Sequence, residues 1–282
     1  METPDGSYLY IFLTSAFNAE NPLAVLSLLF LFLARMLPII ALSPFFGARV
    51  LPHPVKMTLA ISMFVIFLPQ LLTVTTTQIG FSPYTVLLLT KELFVGMLLG
   101  LVISMPFSIA QNVGIIIDHQ RGGASLMVND PTIQNQSSPL GTLFNMVLIF
   151  LFYMIDGPFI FLNAIITSYD MVPPDQFINP RFFEKTSTFW PVLLGLFNKA
   201  MVLSMQLASP ALLAILMTDV FLGVANRLAP QVQITFLGMP LKSLLALTVV
   251  CFGWRLFSEE MVRQVYGWLD VVNATIVSLS GK

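Results

Sequence analysis

The sequence predicts an all-α, polytopic membrane protein with about six long hydrophobic helices. Of its 282 residues, 56% are hydrophobic and 10% are charged, whereas a soluble domain carries about 25% charged residues. Charge-poor apolar runs recur along the chain, and prolines and polar residues separate them. The polar material is too scarce to cover a water-soluble globule, so lipid or other apolar protein must replace water over much of the surface.

Six apolar runs are long enough to cross a bilayer, which requires roughly 20 mostly apolar residues. They cover residues 22–42, 55–74, 92–117, 140–166, 190–217 and 234–254. The tail from residue 258 differs, because its apolar and polar residues fall on opposite helical faces. The apolar face consists of Met261, Val265, Trp268, Leu269, Val272 and Ile276. This pattern predicts an amphipathic helix that lies at an interface or on a partner.

Charged residues occur in or at the edge of the apolar runs. They are Arg35, Glu92, Asp156, Lys199 and Lys242. A Lys, Arg or Asp at the centre of a helix in lipid costs roughly 2.5–3.5 kcal/mol, so such residues normally face a bundle interior, a cavity or a partner. Two interpretations stay open: a pathway for an ion or substrate, or structural pairs and helix ends inside an assembly. The second is favoured, since the charges form no regular helical stripe.

Small residues recur every four positions in the third run, at Gly96, Gly100, Ser104 and Ser108. Small side chains at this spacing let helix backbones approach closely. The pattern predicts tight helix packing, within the chain or with a neighbouring subunit. It carries no information about chemistry.

Composition and motifs give no indication of catalysis. The net charge of −1 indicates neither a nucleic-acid partner nor an acidic substrate. Cys251, the single cysteine, cannot form an intrachain disulfide, and His53 and His119 match no metal-ligand spacing. No zinc-protease, nucleophile-elbow or phosphate-loop motif is present, and Asp156 and Asp219 stand in no recognisable catalytic context. We predict a protein that is not an enzyme and uses no metal or cofactor.

The connection between the third and fourth runs, residues 118–139, is unusually polar and contains helix breakers. Its candidate functional residues are Asp118, His119, Gln120, Arg121, Gly122, Gly123, Met127, Asp130, Pro131, Ser138 and Pro139. Lipid cannot tolerate such a backbone, because its polar groups would stay unpaired. The segment is therefore solvated, buried in protein or lining an aqueous pore, although composition alone slightly favours an ordinary exposed loop.

Polar turns punctuated by proline also join the first two and the last two hydrophobic helices. The residues singled out as contacts at or near these hairpin tips are Arg49, Lys56, Asn226, Arg227, Pro230 and Gln231. Proline cannot extend a helix interior, so the chain reverses direction at these turns. An ordinary hairpin loop explains the same composition.

Several motifs follow one another in a specific order. Residues 34–52 read A-R-x-x-P-x-x-A-x-x-P-x-F-G-x-R-x-x-P, and residues 118–122 read D-x-Q-R-G, followed by D-P and S-S-P-L-G. Near the end come A-P-Q at 229–231 and G-x-P-L-K at 238–242. In order and spacing these motifs resemble the FliR/SctT family of type III secretion systems, and more closely its injectisome branch. The resemblance covers nearly the whole chain; His119 departs from it, since asparagine is expected there.

The resemblance implies helices arranged as hairpins in a helical multi-subunit assembly of the bacterial inner membrane. Its implied function is a non-catalytic pore subunit, through which unfolded secreted proteins leave the cytoplasm, with the loop at 118–139 helping to close the pore. The implied partners are two smaller FliP/SctR-like and FliQ/SctS-like pore subunits, a FlhB/SctU-like switch protein and a FlhA/SctV-like export gate. Residues 1–188 would correspond to the larger pore partner and residues 189–282 to the smaller.

Two other functions remain as alternatives. A small-solute or ion transporter would use Asp156 and Lys199 as pathway charges, but transporters usually contain an internal repeat with interrupted helices, and none is visible. A membrane-embedded protease would require a nucleophile or paired aspartates in a fixed context, and the sequence provides neither.

Overall fold

The computed structural model describes residues 22–47, 51–77, 79–80, 82–122, 138–178, 189–228 and 234–279. Within these residues the regular structure is entirely helical. The helices are α1 (Pro22–Leu42), α2 (His53–Val74), α3 (Pro83–Gln120), α4 (Pro139–Met154), α5 (Gly157–Met171), α6 (Phe189–Leu228), α7 (Ile234–Phe252) and α8 (Trp254–Leu279), with a short 3-10 turn at Pro44–Phe46.

Four of these helices, α1, α2, α3 and α6, are each long and apolar enough to cross a membrane. Two further pairs, α4 with α5 and α7 with α8, pass the same test when each broken pair is counted as one span. The described residues therefore contain four candidate spans, or up to six with the broken pairs. The prediction of an all-helical polytopic protein with about six long hydrophobic helices is confirmed.

Two helices are longer than the apolar runs predict. Helix α3 begins at Pro83, upstream of the predicted start near Glu92, and α6 continues to Leu228, beyond the predicted end at residue 217. Charged residues lie close to both predicted boundaries, Lys91 and Glu92 in α3 and Asp219 in α6. The structure pairs those charges with others, and a paired charge need not end a helix.

The fourth apolar run, predicted as continuous, is broken into α4 and α5. Asp156 lies at the break with φ 55° and ψ 25°, in the left-handed region, and Gly157 and Pro158 follow. Proline has no N–H to continue the helical ladder and disfavours helical backbone in the residue before it. A second break, at Gly253, bends the chain by 63° between α7 and α8.

The chain divides into two compact units, each with its own aromatic packing. Unit 1 contains the described residues of 1–104, 156–193 and 268–282. Here the Phe32 ring lies 5.6 Å from that of Phe64 and 5.9 Å from that of Tyr169. These contacts join α1 to α2 and α5, so helices distant in sequence share one core.

Unit 2 contains the described residues of 105–155 and 194–267. The Phe144 ring of α4 lies 4.6 Å from that of Phe257 in α8, and the Phe107 ring of α3 lies 5.5 Å from that of Phe152 in α4. Unit 2 therefore builds its core from the end of α3, α4 and the last helices.

Helix α8 buries one stripe of its surface. Met261, Val265, Trp268 and Ile276 are at most 4% exposed, whereas the side chain of Arg263 is 76% exposed. The buried residues recur at helical spacing, so α8 packs its apolar face against protein and directs its charged residues outward.

Candidate functional site

The end of α3 and the start of α4 are joined by hydrogen bonds to one buried carboxylate. Asp118 is 1% exposed. Its Oδ2 accepts hydrogen bonds from the Ser138 hydroxyl and from the Leu140 N–H, the latter at 3.0 Å, and its Oδ1 lies 2.7 Å from the Arg121 guanidinium. We call Asp118, Arg121, Gly122, Ser138, Leu140 and Gly141 the loop base, because they flank residues 123–137.

Helix-end chemistry explains why these residues occupy the loop base. Ser138 is the N-cap of α4, and its Oγ accepts the Gly141 N–H at 2.9 Å, which satisfies one of the free donors of a first helical turn. Gly122 follows the end of α3 with φ 87°, the left-handed conformation that commonly ends helices at glycine. His119 and Gln120 are exposed beside it.

The backbones of α3 and α4 touch next to the loop base. A Cβ added at Gly114 would lie 2.2 Å from the Gly141 nitrogen, and one added at Gly141 would lie 2.8 Å from the Gln111 carbonyl oxygen. Real Cβ atoms do not approach so closely, so both positions require glycine. The backbones of α3 and α4 are therefore in direct contact close to the points where the polar connection begins and ends.

Several predicted site residues lie outside the described residues. They are Gly123, Met127, Asp130 and Pro131 of the polar connection, and Arg49, Pro230 and Gln231 of the hairpin tips. Among the remaining tip residues, Asn226 and Arg227 are exposed in the last turn of α6 and Lys56 is half-buried. Pro139 is exposed at the start of α4.

A cluster of buried charges occupies unit 1. Arg35 and Glu92 are both 0% exposed; Arg35 Nε donates to Glu92 Oε2 at 2.5 Å and Arg35 Nη2 donates to Glu92 Oε1 at 2.8 Å. The other guanidinium hydrogens bond the Ser168 carbonyl and hydroxyl and the Val172 carbonyl. All five donors of the guanidinium are thus used, in the fork geometry that arginine provides, and the group lies 3.9 Å from the Tyr169 ring centroid.

Lys91 extends this cluster to the turn that follows α5. Its Nζ lies 2.5 Å from Glu92 Oε1 and donates to the carbonyls of Pro173 at 2.8 Å and Gln176 at 3.0 Å. In the same turn, Asp175 Oδ2 accepts hydrogen bonds from the N–H and hydroxyl groups of Thr76 and Thr77. We call Arg35, Lys91, Glu92 and Asp175 the buried ion cluster; it carries two positive and two negative groups.

The other predicted intramembrane charges are placed differently. Lys242 forms an ion pair with Asp219, which joins α7 to α6, and both side chains are partly exposed. Asp156 and Lys199 are exposed on the surface of the chain. The structure therefore pairs Arg35 with Glu92 and Lys242 with Asp219.

The small residues of α3 do not share one role. A Cβ at Gly96 would lie 2.3 Å from the Arg35 carbonyl oxygen, and one at Gly100 would lie 3.1 Å from the Pro38 carbonyl oxygen. These glycines therefore let α3 approach α1 of the same chain. Ser104 donates to the Leu101 carbonyl of its own helix at 2.9 Å, and Ser108 is exposed.

Sequence reasoning missed Gly114, Gly141 and Asp175. Gly114 falls out of register with the four-residue repeat, and the glycine that it meets lies on another helix, so no spacing rule finds the pair. Asp175 follows two prolines in a loop, and only the fold reveals that it caps the turn at Thr76. Among the described residues, no group of three or more His, Cys, Asp and Glu side chains is arranged to hold a metal ion.

The fold and these sites define a multi-pass, all-helical membrane protein whose buried polar groups join helices to one another. The model of the family described as bacterial export proteins, family 1, matches residues 26–267. The match spans most of the chain, so the protein belongs to this family.

Individual relatives agree with the family match. The chain is 31% identical over 231 residues to the surface presentation of antigens protein SpaR of Shigella sonnei, covering 80% of this chain and 85% of that protein. It is 27% identical over 260 residues to the flagellar biosynthetic protein FliR of Pectobacterium carotovorum, covering 90% and 95%. The predicted resemblance to the FliR/SctT family is confirmed.

The chain is also similar in sequence to an injectisome-type protein. The chain is 32% identical over 175 residues to the Yop proteins translocation protein T of Yersinia pestis. That alignment covers 61% of this chain and 65% of the Yersinia protein, so it spans somewhat less than two thirds of that relative.

Proposed function

We propose that this protein is a non-catalytic subunit of a type III secretion export apparatus, which forms and gates the inner-membrane pore for unfolded substrate proteins. The observation that carries the proposal is the family match over residues 26–267. The relatives are named for translocation, for a secretion system apparatus and for flagellar biosynthesis. Export is the role that the description of the matched family names.

The chain exposes apolar surface that partner subunits can cover. Helix α6 leaves many large apolar side chains uncovered, among them Leu194, Met201, Met205, Met217 and Phe221, each at least 58% exposed. Lipid or another subunit must cover such a face. The proposed partners are the FliP/SctR-like and FliQ/SctS-like pore subunits, with the FlhB/SctU-like and FlhA/SctV-like proteins beside the pore.

A two-part correspondence to the pore subunits belongs to the same proposal. The described residues of 189–282 form one long helix, α6, and the bent pair of α7 and α8, which suits a hairpin subunit of the smaller type. Residues 1–188 would then correspond to the larger type. Ion pairing of Lys242 with Asp219 joins the two arms of the second part.

Gating is assigned to the polar connection at 118–139. Its two ends are fixed by the loop base, and they meet where α3 and α4 touch at Gly114 and Gly141. A polar segment that joins two apolar helices can fill an aqueous conduit, whereas lipid would reject it.

Deleting Val128–Gln134 tests this role. The complete complex that carries the deletion should assemble but conduct small ions, measured as single-channel conductance in planar bilayers. The matched control removes seven residues, 181–187, and this complex should stay sealed because the deletion lies outside the segment to which gating is assigned. A Val128–Gln134 deletion that assembles, stays sealed and secretes normally would remove the connection from the gate.

A further inference from the structure

Unit 2 contains an apolar cavity of about 470 Å³ beside the break between α7 and α8. The end of α3 contributes to its wall, together with α4, α6, α7 and α8. Among the described residues, Gln206 is the one lining side chain with a polar group. The apolar lining includes Ile117, Phe144, Leu207, Ala211, Val249 and Phe257. Pockets of about 300–1,000 Å³ commonly bind ligands, so the cavity has the size of a ligand site.

The apolar lining continues onto the outer surface of unit 2. Phe252 and Leu256, on the two sides of the break at Gly253, both line the cavity and are 88% and 74% exposed. A molecule in the surrounding membrane can therefore reach the cavity without crossing polar surface. Burying a polar or charged group without a hydrogen-bond partner is costly, so the part of a ligand that enters this cavity must be apolar.

The volume of the cavity favours a flexible hydrocarbon chain over the helix of a partner. An α-helix is about 10–12 Å wide with its side chains and rises about 5.4 Å per turn, so it occupies roughly 500 Å³ per turn. The cavity of about 470 Å³ therefore has room for about one turn. A lipid acyl chain is narrower and adapts to an irregular space, so it can fill the same volume without a rigid fit.

The residues after the break have the character of a lipid headgroup region. Helix α7 contains one charged residue, Lys242, whereas α8 begins with Trp254 and Arg255 and is amphipathic. Tryptophan and basic side chains are enriched where hydrocarbon meets water, and amphipathic helices lie at that depth. The Arg255 side chain is 89% exposed, and its Nε donates to Glu259 at 2.9 Å. A guanidinium has five donors, so further donors can reach a phosphate oxygen.

We propose that this cavity binds an anionic phospholipid: one acyl chain fills the cavity, and the phosphate of the headgroup contacts Arg255. The inference goes beyond the proposed export function, and it does not require that residues 118–139 gate a pore. It assigns a ligand to the break between α7 and α8, because Gly253 separates the apolar helix that lines the chain site from the charged helix that holds the headgroup.

Tryptophan fluorescence gives a direct readout, because the Trp254 ring lies 6.3 Å from that of Phe144 and 5.9 Å from that of Phe257, two lining residues. The complex is purified from membranes and reconstituted into phosphatidylcholine bilayers that contain a small fraction of lipid with brominated acyl chains, which quench nearby tryptophans. The signal of Trp254 is the part of the quenching that is lost in the Trp254→Phe variant. Brominated phosphatidylglycerol should reach half-maximal quenching at about fivefold lower content than brominated phosphatidylcholine, the factor expected for one basic residue at an anionic lipid. Equal quenching by the two lipids would overturn the inference.

Filling the cavity tests the site of the acyl chain. Val249→Phe enlarges a lining side chain, so the quenching of Trp254 by brominated phosphatidylglycerol should fall to the level that phosphatidylcholine produces. Val224→Phe is the matched control, since Val224 is 55% exposed on α6 and does not line the cavity; its quenching should equal that of the wild type. Leu207→Phe, on the α6 wall, replaces Val249→Phe if the latter complex is not recovered. Undiminished quenching in the filled variant would remove the acyl chain from the cavity.

A second pair of variants tests the headgroup contact. Arg255→Gln should abolish the preference of about fivefold for phosphatidylglycerol and leave the quenching by phosphatidylcholine unchanged. Arg263→Gln is the control, because Arg263 is also exposed on α8 and also pairs with a glutamate of its own helix, Glu260. This control should keep the preference. Equal losses in the two variants would mean that the general charge of α8, rather than a contact at Arg255, attracts the lipid.

A partner subunit that occupies the cavity gives a different set of results. Trp254 would then be quenched equally in the wild type and in the Val249→Phe variant, and Val249→Phe would reduce the recovery of partner subunits with the chain. That outcome would overturn lipid binding while leaving the export function untouched. Conversely, a Val128–Gln134 deletion that stays sealed would remove the gate without changing the quenching of Trp254.

Discussion

The buried ion cluster and the loop base both depend on a carboxylate that is almost completely buried, but they connect different parts of the chain. Glu92 lies between Arg35 and Lys91, and its cluster joins α1, α3 and the turn after α5 within unit 1. Asp118 joins the two helix ends that flank one polar connection within unit 2. The first arrangement holds whole helices together, and the second holds the ends of a single segment.

The arginines of the two sites differ in how completely their polar atoms are satisfied. Every guanidinium hydrogen of Arg35 has an acceptor, whereas the buried Nε of Arg121 has no hydrogen-bond partner among the described residues. Buried polar groups that are fully paired make a rigid, specific core. We therefore expect the Arg35–Glu92 pair to be essential for folding, while the loop base is the place where a change can alter function without loss of the fold.

Breaking the ion cluster should have the largest effect. Glu92→Ala leaves Arg35 and Lys91 buried without their counter-ion, and removing one partner of a buried pair costs about 3–5 kcal/mol. Total stabilities of domains are only about 5–15 kcal/mol, so little folded chain should be recovered from membranes. The measurement is the yield and the thermal midpoint of the purified complex in detergent.

Glu259→Ala is the control for this prediction. Glu259 pairs with Arg255 on α8, and the two side chains are 59% and 89% exposed. Exposed pairs contribute about 0–1 kcal/mol, so this variant should behave like the wild type. Similar losses in the Glu92→Ala and Glu259→Ala variants would show that the buried cluster is not a special support of the fold.

Disrupting the contact between α3 and α1 should have an intermediate effect on stability. Gly96→Ala places a Cβ 2.3 Å from the Arg35 carbonyl oxygen, and backbone shifts that relieve such overpacking cost about 1–3 kcal/mol. Gly223→Ala, in α6, meets nothing within 4 Å and should stabilise the helix by up to about 1 kcal/mol. Thermal midpoints should therefore move in opposite directions. A midpoint that rises in both variants would mean that α1 and α3 do not touch at Gly96.

The sequence predicted the helical class and the charges that needed partners, because both follow from hydropathy and the cost of burial. It also indicated that residues 118–139 could not lie in lipid. The partners themselves could not be predicted: Arg35 meets Glu92 across 57 residues and Ser168 across 133, and no local pattern encodes such pairing. The hydropathy of the fourth run did not predict the break at Asp156, although Gly157 and Pro158 mark it. Hydropathy is averaged over many residues, so a break that occupies a single turn does not appear in it.

The smallest expected effect concerns the end of α3, and it sharpens the comparison at the loop base. Gly122 has φ 87°, and left-handed backbone costs other residues about 1–2 kcal/mol, with asparagine among the exceptions. A Cβ there would lie 3.6 Å from Met239 Cγ, an ordinary contact, so strain rather than crowding decides the outcome. Gly122→Ala should lower the thermal midpoint and slightly raise conductance, and Gly122→Asn should largely restore both. Equal behaviour of the alanine and asparagine variants would mean that the left-handed cap does not hold the end of α3 in place.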